Sequence, residues 1–179
     1  MHNQKIQRTR KAAPLIFGVR EELTTQSIRN VLPNSMNTNL PYDPGVLPTR
    51  PAPNAGETIL IHVEKLPPYK DEHFSIRNLE HKIYARFKSL REAAIKVMDG
   101  RAAYRGAVQL DFVMSAPQFE TGKRLLDYVD GIMDTLDGSH GPTFTYLPIV
   151  YEDDCQISAG HSHFEPSADE WYELRITFL

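Results

Sequence analysis

Four aspartates, Asp127, Asp130, Asp134 and Asp137, recur at helical spacing, and an acidic turn follows them, Glu152-Asp153-Asp154-Cys155-Gln156-Ile157. Residues three and four apart are neighbours on a helix, where like charges cost roughly 0.2–0.5 kcal/mol per pair. A second acidic group opening a strand, converging on the first, supplies the oxygen ligands that a hard divalent cation takes. Metal-dependent phosphodiester hydrolysis requires that arrangement. The same spacing also describes a solvated helix face followed by an acidic loop, and spacing alone leaves both readings open.

Other groups carry less. His161 and His163 flank Ser162 on an expected strand, which puts both rings on one face. Zinc accepts such a pair, but no third ligand is evident, so exposed strand histidines are the simpler reading. Gly138-Ser139-His140-Gly141-Pro142 lacks the Lys and Ser/Thr of a phosphate-binding P-loop and reads as a helix terminator. Cys155 is the single cysteine, which excludes a disulfide framework and a cysteine-rich zinc site. Its acidic neighbours raise a thiol pKa rather than lower it. Trp171 and Tyr172 read as packing residues.

The elements that must position these groups follow from hydrophobic period. Thr58 to Val63 is a short apolar run ended by Pro67-Pro68, a first strand. Leu79 to Met98 carries a helical stripe of Ile83, Phe87, Leu90, Ala94 and Met98, closed by Asp99-Gly100. Ala107 to Met114 alternates, with Val108, Leu110, Phe112 and Met114 on one face and Pro117 beyond. The acidic helix is expected over 123–136, its core side made by Leu125, Val129, Ile132, Met133 and Leu136. Short strands are expected at 149–151 and 155–164, and a half-buried last strand over 172–178. The order strand-helix-strand-helix-strand-strand predicts an α+β domain, a mixed or antiparallel sheet with two helices packed on one face.

Charge divides the chain. Residues 1–56 hold seven Lys or Arg against three acids, and the remaining residues 13 against 20. Seven of the 13 prolines precede residue 54, so 1–56 reads as a basic, Pro-rich arm and linker before a domain over 57–179. Within the arm, Lys5, Arg8, Arg10 and Lys11 sit together without an acid, Leu15-Ile16-Phe17 suits a short strand, and 21–31 a weak helix. The acidic body argues mildly against tight nucleic-acid binding, which draws on Lys and Arg, although local basic patches still provide for it. No apolar run approaches the roughly 20 residues that span a bilayer, and the polar, basic start is unlike a secretory signal. No membrane association and a cytoplasmic location are expected.

Over 57–179 the chain resembles the RusA family of Holliday junction resolvases, found in bacteria and their prophages. The landmarks are the strand Ile59-Leu60-Ile61-His62-Val63 with its Pro67-Pro68 turn, the block from Tyr128 to Gly138, and Asp153-Asp154-Cys155-Gln156-Ile157. The block aligns with the family's Asp-x-Asp-Asn-(Leu/Tyr)-x-Lys-x-x-x-Asp-Ala-Leu-(Asn)-Gly, and the turn with Asp-Asp-x-Gln-(Val/Ile). The resemblance implies a Mg²⁺-dependent endodeoxyribonuclease, Mn²⁺ serving as well, that resolves branched DNA in recombination and repair as a homodimer. This chain departs from the pattern: Arg124 and Leu126 stand at the family's first two aspartates, Asp127 at its Asn and Asp130 at its Lys. The resemblance therefore implies Asp127, Asp130 and Asp154 as catalytic acids, with Asp127, Asp130, Asp153 and Asp154 as metal ligands. Lys123, Arg124, Lys82, Arg86 and Arg91 are implied as DNA contacts. The alternative is a catalytically inactive RusA-like module that binds DNA or protein.

Overall fold

The computed structural model describes residues 47–70, 80, 82–138 and 147–179. The expected basic cluster at 5–11, the strand at Leu15-Ile16-Phe17 and the helix over 21–31 lie outside them. The elements are β1 (Thr58–Val63), α1 (Lys82–Met98), β2 (Val108–Ala116), α2 (Leu125–Asp137), a 3-10 turn (Asp154–Gln156), β3 (Ile157–Pro166) and β4 (Trp171–Phe178). The class is α+β, with a four-stranded mixed sheet in the order β1-β4-β2-β3. β4 is antiparallel to both β1 and β2, while β3 runs parallel to β2. A parallel neighbour needs a crossover, and α2 supplies it between β2 and β3.

Alternation decides which sheet face is covered. Ile59 and Ile61, then Val108, Leu110, Phe112 and Met114, then Tyr172, Leu174, Ile176 and Phe178, are all buried. Those side chains and the stripes of both helices form a single core cluster. The opposite face carries Leu60, Arg175, Asp111 and His161 across one register row. The α1 stripe Ile83, Phe87, Leu90, Ala94 and Met98 is buried as the period predicts. α1 closes on Asp99 and Gly100, both at positive φ.

Four local differences matter. α2 is rotated relative to expectation: Tyr128, Ile132 and Leu136 are fully buried, and Leu125, Val129 and Met133 only partly. Tyr128 takes the central place because its ring meets Tyr69 edge-on at 5.8 Å while its hydroxyl donates to Glu120 at 3.2 Å. The expected strand 149–151 is buried chain with one isolated bridge, Tyr104 to Tyr151. The expected strand 155–164 begins instead as the 3-10 turn and enters β3 at Ile157. The last residues before 57, expected in the linker, are hydrogen-bonded to the domain. Thr49 and Arg50 donate to Gly100 O at 2.9 Å each, and Gly56 donates to Phe178 O at 2.6 Å.

The turn after β1 packs onto α2. Leu66 to Tyr69 are buried, and Lys70 N donates to Asp127 O at 2.8 Å. This approach needs Gly131: a Cβ there would lie 2.5 Å from Tyr69 Cα and 2.7 Å from Pro68 O. No side chain but hydrogen fits so close to backbone.

Candidate acidic site at the end of the crossover helix

The acidic face of α2 descends from solvent into the protein. Asp127, at its first turn, is committed to the helix start: Arg124 N donates to its Oδ2 at 2.7 Å, and the Arg124 guanidinium lies 3.5 Å from Oδ1. A carboxylate that accepts an otherwise unpaired N–H near a helix start also answers the positive end of the dipole. The Arg124 backbone bond, with the nearby cations, holds its pKa below the ordinary carboxylate value. Asp130 is exposed. Asp134 is half-buried, 3.9 Å from Lys70 Nζ. Burial pushes its pKa up; Lys70 opposes this, and the charges of Asp154 and Asp130 add to it. Asp137 is buried. The hydroxyl of Tyr151 donates to Met133 O at 3.4 Å and is pushed well above its usual pKa by burial, then by Asp137, Asp154 and Asp134.

The facing turn is clamped by one side chain. Gln156 Oε1 accepts from Glu152 N at 2.8 Å and Asp153 N at 2.9 Å, while its Nε2 donates to Tyr104 O at 2.9 Å and Gly106 O at 2.6 Å. Every polar atom of the amide is used, so the turn is tied to the loop before β2. Asp153 caps the 3-10 turn by accepting Cys155 N at 2.8 Å, and that bond holds its pKa down. Asp154 is half-buried. Cys155 is exposed, and its bond to Asp153 with the charges of Asp153 and Asp154 raises its thiol pKa, leaving no activated nucleophile.

The arrangement separates the helix acids. Among the described residues, the one group of three ligand-type side chains with donor atoms within 4.8 Å of one another is Asp153, Asp154 and Cys155. Of the four metal ligands expected from the sequence, Asp153 and Asp154 are together, whereas Asp127 caps the helix and Asp130 stands in solvent. The helix acid whose pKa Asp154 raises is Asp134, one of the four aspartates at helical spacing but not among the ligands that the resemblance implies. The signal for it is the run Asp134-Thr135-Leu136-Asp137-Gly138, where an acid is set among side chains that must be buried. A neighbour from outside the helix block, Lys70, was also missed, because only packing of the β1 turn on Gly131 brings it there.

Of the expected cationic contacts, Lys82, Arg86 and Lys123 gather about Tyr69 and Glu120, while Arg91 and Arg124 lie elsewhere. Arg91 is 4% exposed, and its guanidinium donates to Thr135 O and Leu147 O at 3.2 Å each. It is a buried tie between α1, α2 and residue 147, which corrects its expected place on a DNA surface. A buried guanidinium must be hydrogen-bonded, and backbone carbonyls supply that here. Arg86 grips Glu120 at 2.6 and 3.3 Å, and Lys82 reaches the same carboxylate at 3.0 Å. Lys123 Nζ lies 4.0 Å from the centre of the Tyr69 ring. Arg124 is exposed beside Asp127. His161 Nδ1 lies 3.2 Å from Asp111 Oδ1, and the histidine pair belongs to no group of three close ligands among the described residues. No helix among the described residues is long and apolar enough to cross a membrane. No protein-family model matches the chain, and no curated protein matches it.

Proposed function

We propose that this chain is a divalent-metal-dependent endonuclease acting on branched DNA, a divergent relative of the RusA resolvases, working in the cytoplasm as a homodimer. The observation that carries the reading is the group Asp153, Asp154 and Cys155, whose donor atoms lie within 4.8 Å of one another, with half-buried Asp134 on the facing helix near enough for Asp154 to push its pKa up. Carboxylates held together in this way repel, and a cation relieves the repulsion. The carboxylates offer oxygen, the donor that Mg²⁺ or Mn²⁺ takes. Asp154 and Asp134 would hold the ion, with Asp130 and Asp153 beside them. Asp134 thus replaces Asp127 in the expected set, since Asp127 is occupied at the helix start. When bound, the ion supplies an activated water and charge at phosphorus. Lys70, 3.9 Å from Asp134, offers a cation to a phosphate beside the acids, and the Gln156 clamp would keep the Asp154 turn in place.

Cleavage of a labelled synthetic four-way junction in Mg²⁺ or Mn²⁺ tests the reading. The parent cuts, and Asp154→Asn and Asp134→Asn do not. Cleavage that survives in Asp154→Asn refutes the assignment. A second reading, a non-catalytic module that binds branched DNA or protein, is favoured by one observation: Arg124 and Leu126, at the family's ligand positions, are both exposed and neither can ligate a hard cation. Under that reading the junction is bound but stays intact with either metal.

A further inference from the structure

Leu126, the second residue of α2, is 62% exposed. A lone exposed leucine is ordinary, but this one stands beside a groove of about 240 Å³ between α2 and β3. Leu126, Val129 and Met133 wall the groove from the helix, Ile157 from the start of β3, and Phe112, only 2% exposed, lies at its floor. The groove exists because β3 brings little side chain to it. Gly160 and Ser162 are the β3 residues in register with the core residues Leu110 and Phe112, so the space that a larger pair would fill stays open. β3 is also an edge of the sheet, and no further strand closes the groove on its outer side among the described residues. Ser162 brings a hydroxyl to walls that are otherwise mostly apolar.

We infer that this groove takes one unstacked nucleobase of the bound DNA, with Leu126 entering the gap that the base leaves in the stack. The inference rests on the proposed reading of the chain as a nuclease of branched DNA and names the subsite beside its acids. Position supports it. Leu126 lies four residues before Asp130 and Met133 three after it, so the groove and the acidic face adjoin along α2. Met133 immediately precedes Asp134, and Ile157 follows the 3-10 turn that carries Asp154. A phosphate held at Asp134 and Asp154 therefore has a neighbouring base within reach of the groove. Size supports it too. Pockets for drug-sized ligands run roughly 300–1,000 Å³, so 240 Å³ suits a single flat ring system rather than a partner helix. A base offers an apolar face to Leu126, Val129 and Met133 and a polar edge to Ser162. Leucine is among the side chains that wedge base steps apart in this way. At the branch of an open junction a base pair lacks a stacking neighbour on one side, so withdrawing a base costs less there than within a duplex. The groove thereby selects branched over linear DNA.

The test uses the full chain in EDTA with four-way junctions that carry 2-aminopurine at one position at a time beside the crossover, and a linear duplex of matching sequence. This base is quenched in the stack and bright outside it. The parent is expected to raise the emission several-fold at a position beside the crossover and to leave the linear duplex dark. Leu126→Ser abolishes the rise and Leu126→Met keeps it, which separates loss of the apolar wedge from loss of fold. Leu60→Ser, removing a leucine 48% exposed on the opposite face of the sheet, leaves the rise as it was. No rise at any position, a rise that survives in Leu126→Ser or is lost equally in Leu60→Ser, or a parent without affinity for the junction overturns the inference. Light scattering in which Leu126→Ser turns a parental dimer into a monomer also overturns it, because the groove then seats a second copy. A rise that depends on Leu126 while the parent cuts no junction in Mg²⁺ keeps the groove and refutes the nuclease instead. A parent that cuts without any rise refutes the groove alone.

Discussion

At the residue scale the decisive contrast is between two aspartates on the same helix. Asp127 accepts a backbone N–H and sits beside cations, so its folded pKa is depressed. Its stabilisation is present above the unfolded pKa and is lost as pH falls through the folded value. Asp134 is the opposite: burial and two neighbouring acids raise its pKa. A raised carboxyl pKa means that the folded protein binds the proton more tightly than the unfolded chain. Stability therefore falls as pH rises from the unfolded value through the folded one, and above that window ionised Asp134 costs stability. Asp134→Asn should melt at a higher temperature than the parent at pH 7, and the difference should vanish as pH is lowered toward 4. Adding Mg²⁺ should raise the melting temperature of the parent and not that of Asp134→Asn, since a ligand that binds only the folded state stabilises it. Asp127→Asn should behave in reverse, losing about 0.5–1 kcal/mol of helix-start stabilisation while keeping its response to Mg²⁺ and its junction cleavage. Differential scanning fluorimetry with and without metal separates the two residues.

At the element scale, two packing devices hold the acids in register. One is the contact of α2 with the β1 turn at Gly131. Replacing a helix-interior glycine by alanine ordinarily gains roughly 0.5–1 kcal/mol, but here the new methyl would meet Tyr69 Cα at 2.5 Å. Overpacking costs about 1–3 kcal/mol, so Gly131→Ala should be destabilised by urea denaturation and should lose cleavage through displacement of Lys70. The other device is the Gln156 amide, with its four bonds across the turn and the loop 104–106. Each bond is worth about 0.5–1.5 kcal/mol net, so Gln156→Ala should cost on the order of 2–3 kcal/mol, measured by the same denaturation. Cleavage at a temperature where the variant remains folded should drop further than stability does, because Asp154 loses its fixed position. Parental cleavage in a folded Gln156→Ala would show that the clamp serves stability alone.

At the scale of the whole molecule, topology brings the acids together. α2 crosses from β2 to the parallel strand β3, and the chain re-enters the sheet through the acidic 3-10 turn beside the C-terminal half of α2. Asp134 and Asp154 are brought near one another by that crossover although they are 20 residues apart. A four-way junction has two scissile strands related by a twofold axis, which a symmetric dimer matches with one site for each. Light scattering at micromolar concentration should give the mass of two chains, and a monomer would count against junction resolution by a symmetric pair.

Spacing alone placed β1, α1, β2 and β4 with their buried faces, whereas α2 is turned from its expected face and 149–151 is not a strand. Period-two alternation in β2 and β4 and the period-3.6 stripe of α1 each have one solution that buries apolar area, so those side chains were legible from spacing. The run Asp153-Asp154-Cys155-Gln156 was likewise legible as an acidic turn opening a strand. What spacing leaves open is which of several equivalent acids or bases is used, because that depends on neighbours distant in sequence. Arg91 resembles any cation on a helix flank until Thr135 O and Leu147 O enclose it. Asp127 and Asp134 look alike along the helix, yet one meets a backbone N–H and the other meets Lys70 and the field of Asp154. Tyr69 carries no signal until Lys82 and Lys123 converge on its ring. Hydrophobic burial is a property of a local pattern, whereas electrostatic role is set by contacts that only the folded chain makes, and those the tertiary structure decided.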